Sequence, residues 1–381
     1  MGMETASIAI VGAGLSGLYA AYLLATAGIS DYVVLEARDV IGGRIAVAYP
    51  PDDATAPAAS PAKNRDRFDL GPTWYWPAYQ RRLDGVIGAL GLDRFDQYET
   101  GDMVFESSPN QSPVRTRGYR SAPTSVRLEG GMAALVDGLY QRLDAARIHT
   151  GRAVTRLQCG GGKIVLTAED RCGRAATYRA AHVLLAVPPR LAMTAMDFVP
   201  ALPEALQRGW RDVPTWMAPH AKYLAIYDEP FWRGQGLSGE ARSACGPLVE
   251  IHDASAPGGH AALFGFFGIP ARTRQQVSDE VLRAHCRSQL ARLFGPQARN
   301  PRADFIKDWA AEPYTASAAD QEATDHIANA PLATAQSGVW QDRLVGIASE
   351  WSRQFPGYVA GAIQAAENGV ATVLRPPGEV V

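Results

Sequence analysis

The segment Gly12-Ala-Gly14-Leu-Ser-Gly17 constrains this chain more than any other. It follows a short apolar run, Ser7 to Val11, and opens a stretch, Leu18 to Ala27, that reads as a helix ending at Gly28. A second apolar strand, Tyr32 to Leu35, comes next and ends at Glu36. Glycines at this spacing are a weak signal alone. Between a strand and a helix, with an acid after the second strand, they predict a βαβ unit that binds a dinucleotide. Gly12 permits a tight turn, Gly14 lets backbone approach a pyrophosphate, and Gly17 lets the helix lie close to the strand. The helix N-terminus offers free N–H groups and a positive dipole end to phosphate. Glu36 is placed to accept hydrogen bonds from a ribose diol.

Bulk properties narrow the rest. The chain has 381 residues, enough for two or three domains, and its formal net charge of −2 gives no bulk attraction to nucleic acid or anionic membrane. No apolar run approaches the roughly 20 residues that span a bilayer. No basic stretch precedes an apolar one at the start, so no signal peptide is expected. Four cysteines (Cys159, Cys172, Cys245, Cys286) form no C-x-x-C pair, which argues against a metal site and for reduced thiols in a cytoplasmic setting. Of the 37 basic residues only Lys63, Lys163, Lys222 and Lys307 are lysines, so each lysine invites a question.

Further along, Pro50 to Asn64 reads as a surface loop and Pro109 to Thr124 as an irregular connection. Arg81 to Leu90, Gly131 to Ala145, Val277 to Phe294 and Gly357 to Val373 read as helices. Ala153 to Leu157 and Ile164 to Ala168 flank a glycine run, a hairpin signal. Tyr178 to Val187 reads as one strand stopped by Pro188-Pro189, and Ala221 to Tyr227, Ala261 to Phe267, Asp304 to Trp309 and Leu344 to Ala348 as others. In the strand Ala221 to Tyr227, period-2 alternation puts Lys222 on one face with Leu224 and Ile226. A lysine on an apolar face is costly without a partner, and desolvation lowers its pKa. The histidines, His285 and His326 among them, show no metal spacing and read as ordinary surface or core residues.

Several motifs together carry a resemblance. After Glu36 comes Ala37-Arg38-Asp-Val-Ile-Gly42-Gly43-Arg44, and then Asp69-Leu-Gly71-Pro-Thr73-Trp74 and Gly130-Gly131-Met132. Val154 stands on the strand before one that ends in Ala186-Val-Pro188-Pro189. The chain closes with Ala348-Ser-Glu350-Trp351, then Gly357-Tyr358-Val359-Ala-Gly361-Ala362. This series resembles the flavin-containing amine oxidase family over nearly the whole chain. The resemblance implies an α/β fold: a discontinuous Rossmann-like FAD-binding domain (1–78, 126–196 and 336–381) and a substrate domain of mixed sheet plus helices (79–125 and 197–335). It implies noncovalent FAD, since no cysteine stands where a covalent bond is made.

The resemblance also implies the contacts. Gly12, Gly14, Gly17, Glu36, Arg38, Gly43, Arg44, Gly71, Thr73, Trp74, Val154, Pro188, Glu350, Tyr358 and Val359 are expected at the cofactor, with Arg44 pairing with the pyrophosphate. The closing helix would aim its N-terminus at the flavin. Lys222 matches the lysine that holds a water at flavin N5. Tyr358 matches an aromatic flanking the substrate amine. The second aromatic is missing from the segment before the last strand, and Trp351 is the residue nominated to supply that wall. Phe264, Phe266 and Trp309 are assigned to the core rather than the pocket.

The implied reaction is hydride transfer from an amine α-carbon to flavin N5, with reoxidation by O2 to give imine and H2O2. Trp74 stands where related L-amino acid oxidases place an arginine, which favours an amine without a carboxylate. Two other readings stay open: a flavin desaturase or dehydrogenase acting on a C–C bond, and a flavin-binding module without catalysis. Oligomeric state is open too, a homodimer being one option.

Overall fold

The computed structural model describes residues 3–50, 66–322, 326 and 329–375. Most of the stretch read as a surface loop between Pro50 and Asn64, Lys63 included, lies outside the described residues.

The strand–glycine turn–helix unit forms as its residues require. Ile8–Val11 and Tyr32–Leu35 are wholly buried strands, joined by the helix Leu15–Thr26. Their apolar residues on both faces suit a parallel sheet covered on each side. Three more strands join them, in the order Ile148–His149, Tyr32–Leu35, Ile8–Val11, His182–Leu185 and Leu344–Gly346, every pair parallel. One face packs Ile8, Ile10 and Leu184 against the opening helix and the closing helix Val359–Val373. The other packs Ala9, Val11, Val183 and Leu185 against Val154, Leu157, Ile164 and Leu166 of a second sheet.

That second sheet has the order Glu4–Thr5, Ala175–Ala180, Lys163–Glu169, Ala153–Gly160, Asp197–Val199. The run Tyr178 to Val187, read above as one strand, is divided between the two sheets. Ala175–Ala180 pairs in the second sheet, and the chain then crosses at Ala181 into His182–Leu185 of the first. A continuous apolar run does not show this, because both halves are buried.

The third sheet is mixed and seven-stranded: Ala303–Asp308, Ala221–Tyr227, Ala261–Phe267, Leu248–Asp253, Leu237–Ser243, Asp102–Glu106, Val114–Arg117. The helix Asp279–Phe294, capped by the Ser278 side chain, covers one face. The strand Val114–Arg117 lies inside the stretch read as irregular. It is an exposed, Arg-rich edge strand, so its sequence carries no burial pattern. In the strand Ala221–Tyr227, Tyr223, Ala225 and Tyr227 face the covering helix, while Leu224 and Ile226 face the opposite way and pack with Phe264, Ala262 and Phe68. Lys222 belongs to that second set by alternation. The architecture is a Rossmann-like dinucleotide-binding domain with a mixed-sheet and helical substrate domain.

Candidate active site

A cavity of about 1210 Å³ runs between the parallel sheet and the seven-stranded sheet. Its wall at one end includes Arg38, Arg152 and Val154, and elsewhere Lys222, Trp216 and Tyr358. It exceeds the roughly 300–1,000 Å³ typical of a drug-sized ligand site.

The glycine turn is built to admit a large ligand. Gly12 has φ +106°, and a Cβ there would meet the Ala186 carbonyl oxygen at 2.9 Å. A Cβ on Gly17 would lie 1.9 Å from the Gly12 oxygen. Gly17 therefore acts beneath the cavity, by close packing, while Gly12 and Gly14 line it. Gly43, at φ +60°, brings its backbone against Gly14. No side chain caps the opening helix at Gly14, so its first N–H groups are left for an anion.

Glu36 is 3% exposed. It accepts from Ala13 N–H at 2.7 Å and from Arg38 N–H at 2.9 Å, and keeps lone pairs for a diol. Arg38 reaches the far segment, donating to Thr315 Oγ1 at 3.0 Å and pairing with Glu312 at 3.2 Å. The closing helix begins at Val359 with no side-chain cap, and Gly357, Tyr358 and Val359 all line the cavity. These features fit a dinucleotide: a backbone cradle that side chains would fill, two uncapped helix N-termini and a buried acid with spare acceptors.

The structure corrects two expectations, for Glu350 and Trp351. Arg44 lines the cavity, but its guanidinium is engaged by Glu350, with Nη1–Oε1 at 2.5 Å and Nη2–Oε2 at 3.0 Å, and it also donates to Ser349 Oγ at 3.1 Å. This internal bidentate pair fixes the Arg44 guanidinium at the cavity wall. Glu350 is fully buried and lines no part of the cavity; its role is to hold Arg44. Trp351 is likewise no cavity wall. It is 4% exposed, packs its ring on Gly346 and Trp210, and donates to the Leu332 carbonyl. A single-turn helix at Ser349–Trp351 turns it into the core.

Gly71, Thr73, Trp74 and Pro188 line the cavity as expected. Gly71 is required because a Cβ there would lie 2.2 Å from the Arg44 oxygen. The aromatic wall around Tyr358 comes from residues the sequence reading passed over. Trp216 lies 4.7 Å from Tyr358 between ring centroids, Trp76 lies 6.4 Å away at 80°, and His326 packs against both Trp216 (4.6 Å) and Tyr358 (5.2 Å). His326 is exposed, as a surface residue, and its ring also joins this cluster. The available signal was the proline-flanked Val213-Pro-Thr-Trp216-Met-Ala-Pro219, just before the lysine strand. Phe266 and Trp309, assigned to the core, also line the cavity; Phe264 does not.

Lys222 is 2% exposed. Its Nζ donates to Thr73 Oγ1 at 2.6 Å and to the Gly71 carbonyl at 3.1 Å. Its pKa is pushed down to about 7, by burial above all; Asp69 opposes this and Arg127 adds to it. Asp69 is buried too, which raises its own pKa; it accepts from Met132 N–H at 2.8 Å. That bond accounts for the turn Gly130-Gly131, since a Cβ on Gly131 would clash with the Asp69 carboxylate. A lysine that titrates near neutrality at a cavity wall is suited to proton handling.

The comparisons agree with this geometry. Residues 89–374 match the family model for flavin containing amine oxidoreductase, and residues 10–90 match that for an NAD(P)-binding Rossmann-like domain. The chain belongs to the flavin containing amine oxidoreductase family, whose chemistry is flavin-dependent oxidation of amines. It is 26% identical over 455 aligned residues to the putative flavin-containing monoamine oxidase AofH of Mycobacterium tuberculosis, covering 97% of this chain and 96% of that one. It is 28% identical over 191 residues to a probable flavin-containing monoamine oxidase A of Dictyostelium discoideum, covering 50% of this chain and only 40% of that protein.

Among solved structures, putrescine oxidase bound to putrescine has a TM-score of 0.76 at 20% identity, over 98% of this chain and 100% of the other. Cyclohexylamine oxidase from Brevibacterium oxydans has a TM-score of 0.77 at 18% identity, over 97% and 98%. At such identities these structures speak to the fold.

Proposed function

We propose that this protein oxidises an amine lacking a carboxylate, using noncovalently held FAD and O2 and yielding imine and H2O2. The observation that carries the reading is the buried Lys222, hydrogen-bonded to Thr73 and Gly71, in one cavity with the Trp76, Trp216 and Tyr358 rings. FAD, when bound, supplies the two-electron acceptor for a C–H bond beside nitrogen.

The chain's own residues do the rest. Glu36 receives ribose hydroxyls, and the N-terminus of the helix Leu15–Thr26 receives the pyrophosphate. The N-terminus of the closing helix stabilises negative charge on the flavin side of the cavity. Tyr358, Trp216 and Trp76 flank the amine and exclude water. Lys222 holds or moves a proton at Nζ. None of the four cysteines lines the cavity, which supports a noncovalent cofactor, and all four are free thiols, which supports a cytoplasmic setting.

The test is anaerobic addition of primary, secondary and carboxylate-bearing amines to the FAD-loaded protein, with the flavin absorbance followed. Bleaching by simple amines is expected. Bleaching only by polyenes or ring hydrocarbons would instead support a desaturase, and no bleaching by either would support a flavin-binding module without catalysis. Acid precipitation should release the flavin into the supernatant; flavin retained on the precipitated chain would refute noncovalent binding.

A further inference from the structure

Phe264 stands on the strand Ala261–Phe267, beside the lysine strand. Its ring centroid lies 4.0 Å from Lys222 Nζ, whereas that of Phe266 lies 6.0 Å away. The Phe264 ring is itself fixed. It is buried, and it packs on Trp74 at 5.3 Å, His252 at 5.4 Å and Phe266 at 5.6 Å.

A lysine ammonium has three N–H donors and a neutral amine has two plus a lone pair. Thr73 Oγ1 and the Gly71 carbonyl engage two donors of Lys222. The remaining close neighbour is the Phe264 ring, whose face carries negative quadrupolar charge. That face attracts an ammonium N–H and repels a lone pair. The contact therefore favours the protonated state, against the burial that disfavours it.

The surrounding charges leave this contact room to decide the outcome. Asp69, on the strand Phe68–Asp69, favours the ammonium, and Arg127, on Val126–Leu128, opposes it. Lys307, directly opposite Lys222 on Ala303–Asp308, is bound by Glu312 at 2.7 Å. Glu250, opposite Phe266 on Leu248–Asp253, is taken by His252 and Arg242.

We propose that Phe264 is a positioning residue whose ring face favours the protonated state of Lys222 and seats it at the cavity wall. The inference deepens the amine-oxidation reading and rests on it for its consequence: the state of the proton at Nζ when substrate arrives. The contact itself does not depend on that reading, so the two can fail separately.

The chain's four lysines make a direct test practicable. FAD-loaded protein carrying lysine labelled with 13C at Cε gives four signals to follow with pH, and Lys222→Met identifies the one from Lys222. The Lys222 midpoint should fall by about one pH unit in Phe264→Leu, which keeps an apolar, though smaller, side chain and removes the ring face. It should stay within a few tenths of a unit in Phe264→Tyr, and move less in Phe266→Leu than in Phe264→Leu. An unchanged or raised midpoint in Phe264→Leu overturns the proposal, the second by showing that the ring acts only by excluding water.

If Phe264→Leu fails to fold, 4-fluoro- and 3,4,5-trifluorophenylalanine at position 264 weaken the ring face with little change of shape. The midpoint should then fall in that order, and a flat series overturns the proposal. A midpoint that moves while the pH limb of anaerobic flavin reduction stays fixed supports the contact and refutes the role of Lys222 in amine oxidation.

Discussion

Arg44 and Glu350, 306 residues apart in the chain, are joined by two nitrogen–oxygen contacts of 2.5 and 3.0 Å. The pair ties the glycine-rich turn that follows Glu36 to the segment that leads into the closing helix. Both ends of the cofactor cradle are thereby fixed to one another, and the Arg44 backbone is held against Gly71.

The carboxylate of Glu350 is fully buried. Removing its partner leaves an uncompensated buried charge, which typically costs about 3–5 kcal/mol. Arg44→Met should therefore lower the urea midpoint of unfolding sharply, and Arg44→Met with Glu350→Gln should recover much of the loss. A double variant no better than the single one would show that the pair is not the source.

Gly17→Ala places a methyl group where only 1.9 Å separates it from the Gly12 oxygen. Overpacking of this kind costs about 1–3 kcal/mol or more. The turn must shift, so FAD affinity should fall together with thermal stability. Gly28→Ala is the comparison: a Cβ there meets no atom within 4 Å, but φ is +77°. It should cost about 1 kcal/mol through backbone strain alone and leave FAD binding unchanged. Flavin fluorescence titration distinguishes the two.

Lys222→Met should keep FAD and slow flavin reduction or reoxidation, by about 100-fold if the lysine handles a proton in that step. Stopped-flow absorbance resolves the two half-reactions. Unchanged rates in both would remove Lys222 from the mechanism.

The same residue makes stability pH-dependent. Its folded pKa, about 7, lies below the ordinary lysine value of 10.5. The unfolded chain thus binds the extra proton between those values, and stability from this group rises with pH across that window. Below about pH 7 both states are protonated and the penalty is present in full; above about 10.5 it is gone. Urea unfolding between pH 7 and 9.5 should show a more positive slope of stability with pH in the wild type than in Lys222→Met. Parallel curves would mean that Lys222 titrates normally.

Trp216→Ala should raise KM for amines several-fold while FAD affinity is kept, because it removes one ring beside Tyr358. Trp351→Phe should leave KM unchanged and lower thermal stability, because Trp351 packs on Gly346 and Trp210 in the core. Steady-state kinetics with one amine, alongside thermal melts, would reverse the assignment if the two effects came out exchanged.

The sequence by itself determined the dinucleotide unit, because its demands are local. Gly12 takes the positive φ of the turn, Gly17 is imposed by its contact with the Gly12 oxygen, and Glu36 follows the strand next to it. It also marked Lys222, since a lysine among Leu224 and Ile226 violates the pattern of its own strand. Tertiary structure alone decided what surrounds these residues. That Glu350 takes the guanidinium of Arg44, that Trp216 rather than Trp351 stands by Tyr358, and that Phe264 lies under Lys222 depend on packing between segments far apart in the chain. Spacing along one strand fixes which face a side chain shares, but not which side chain from another element meets it there.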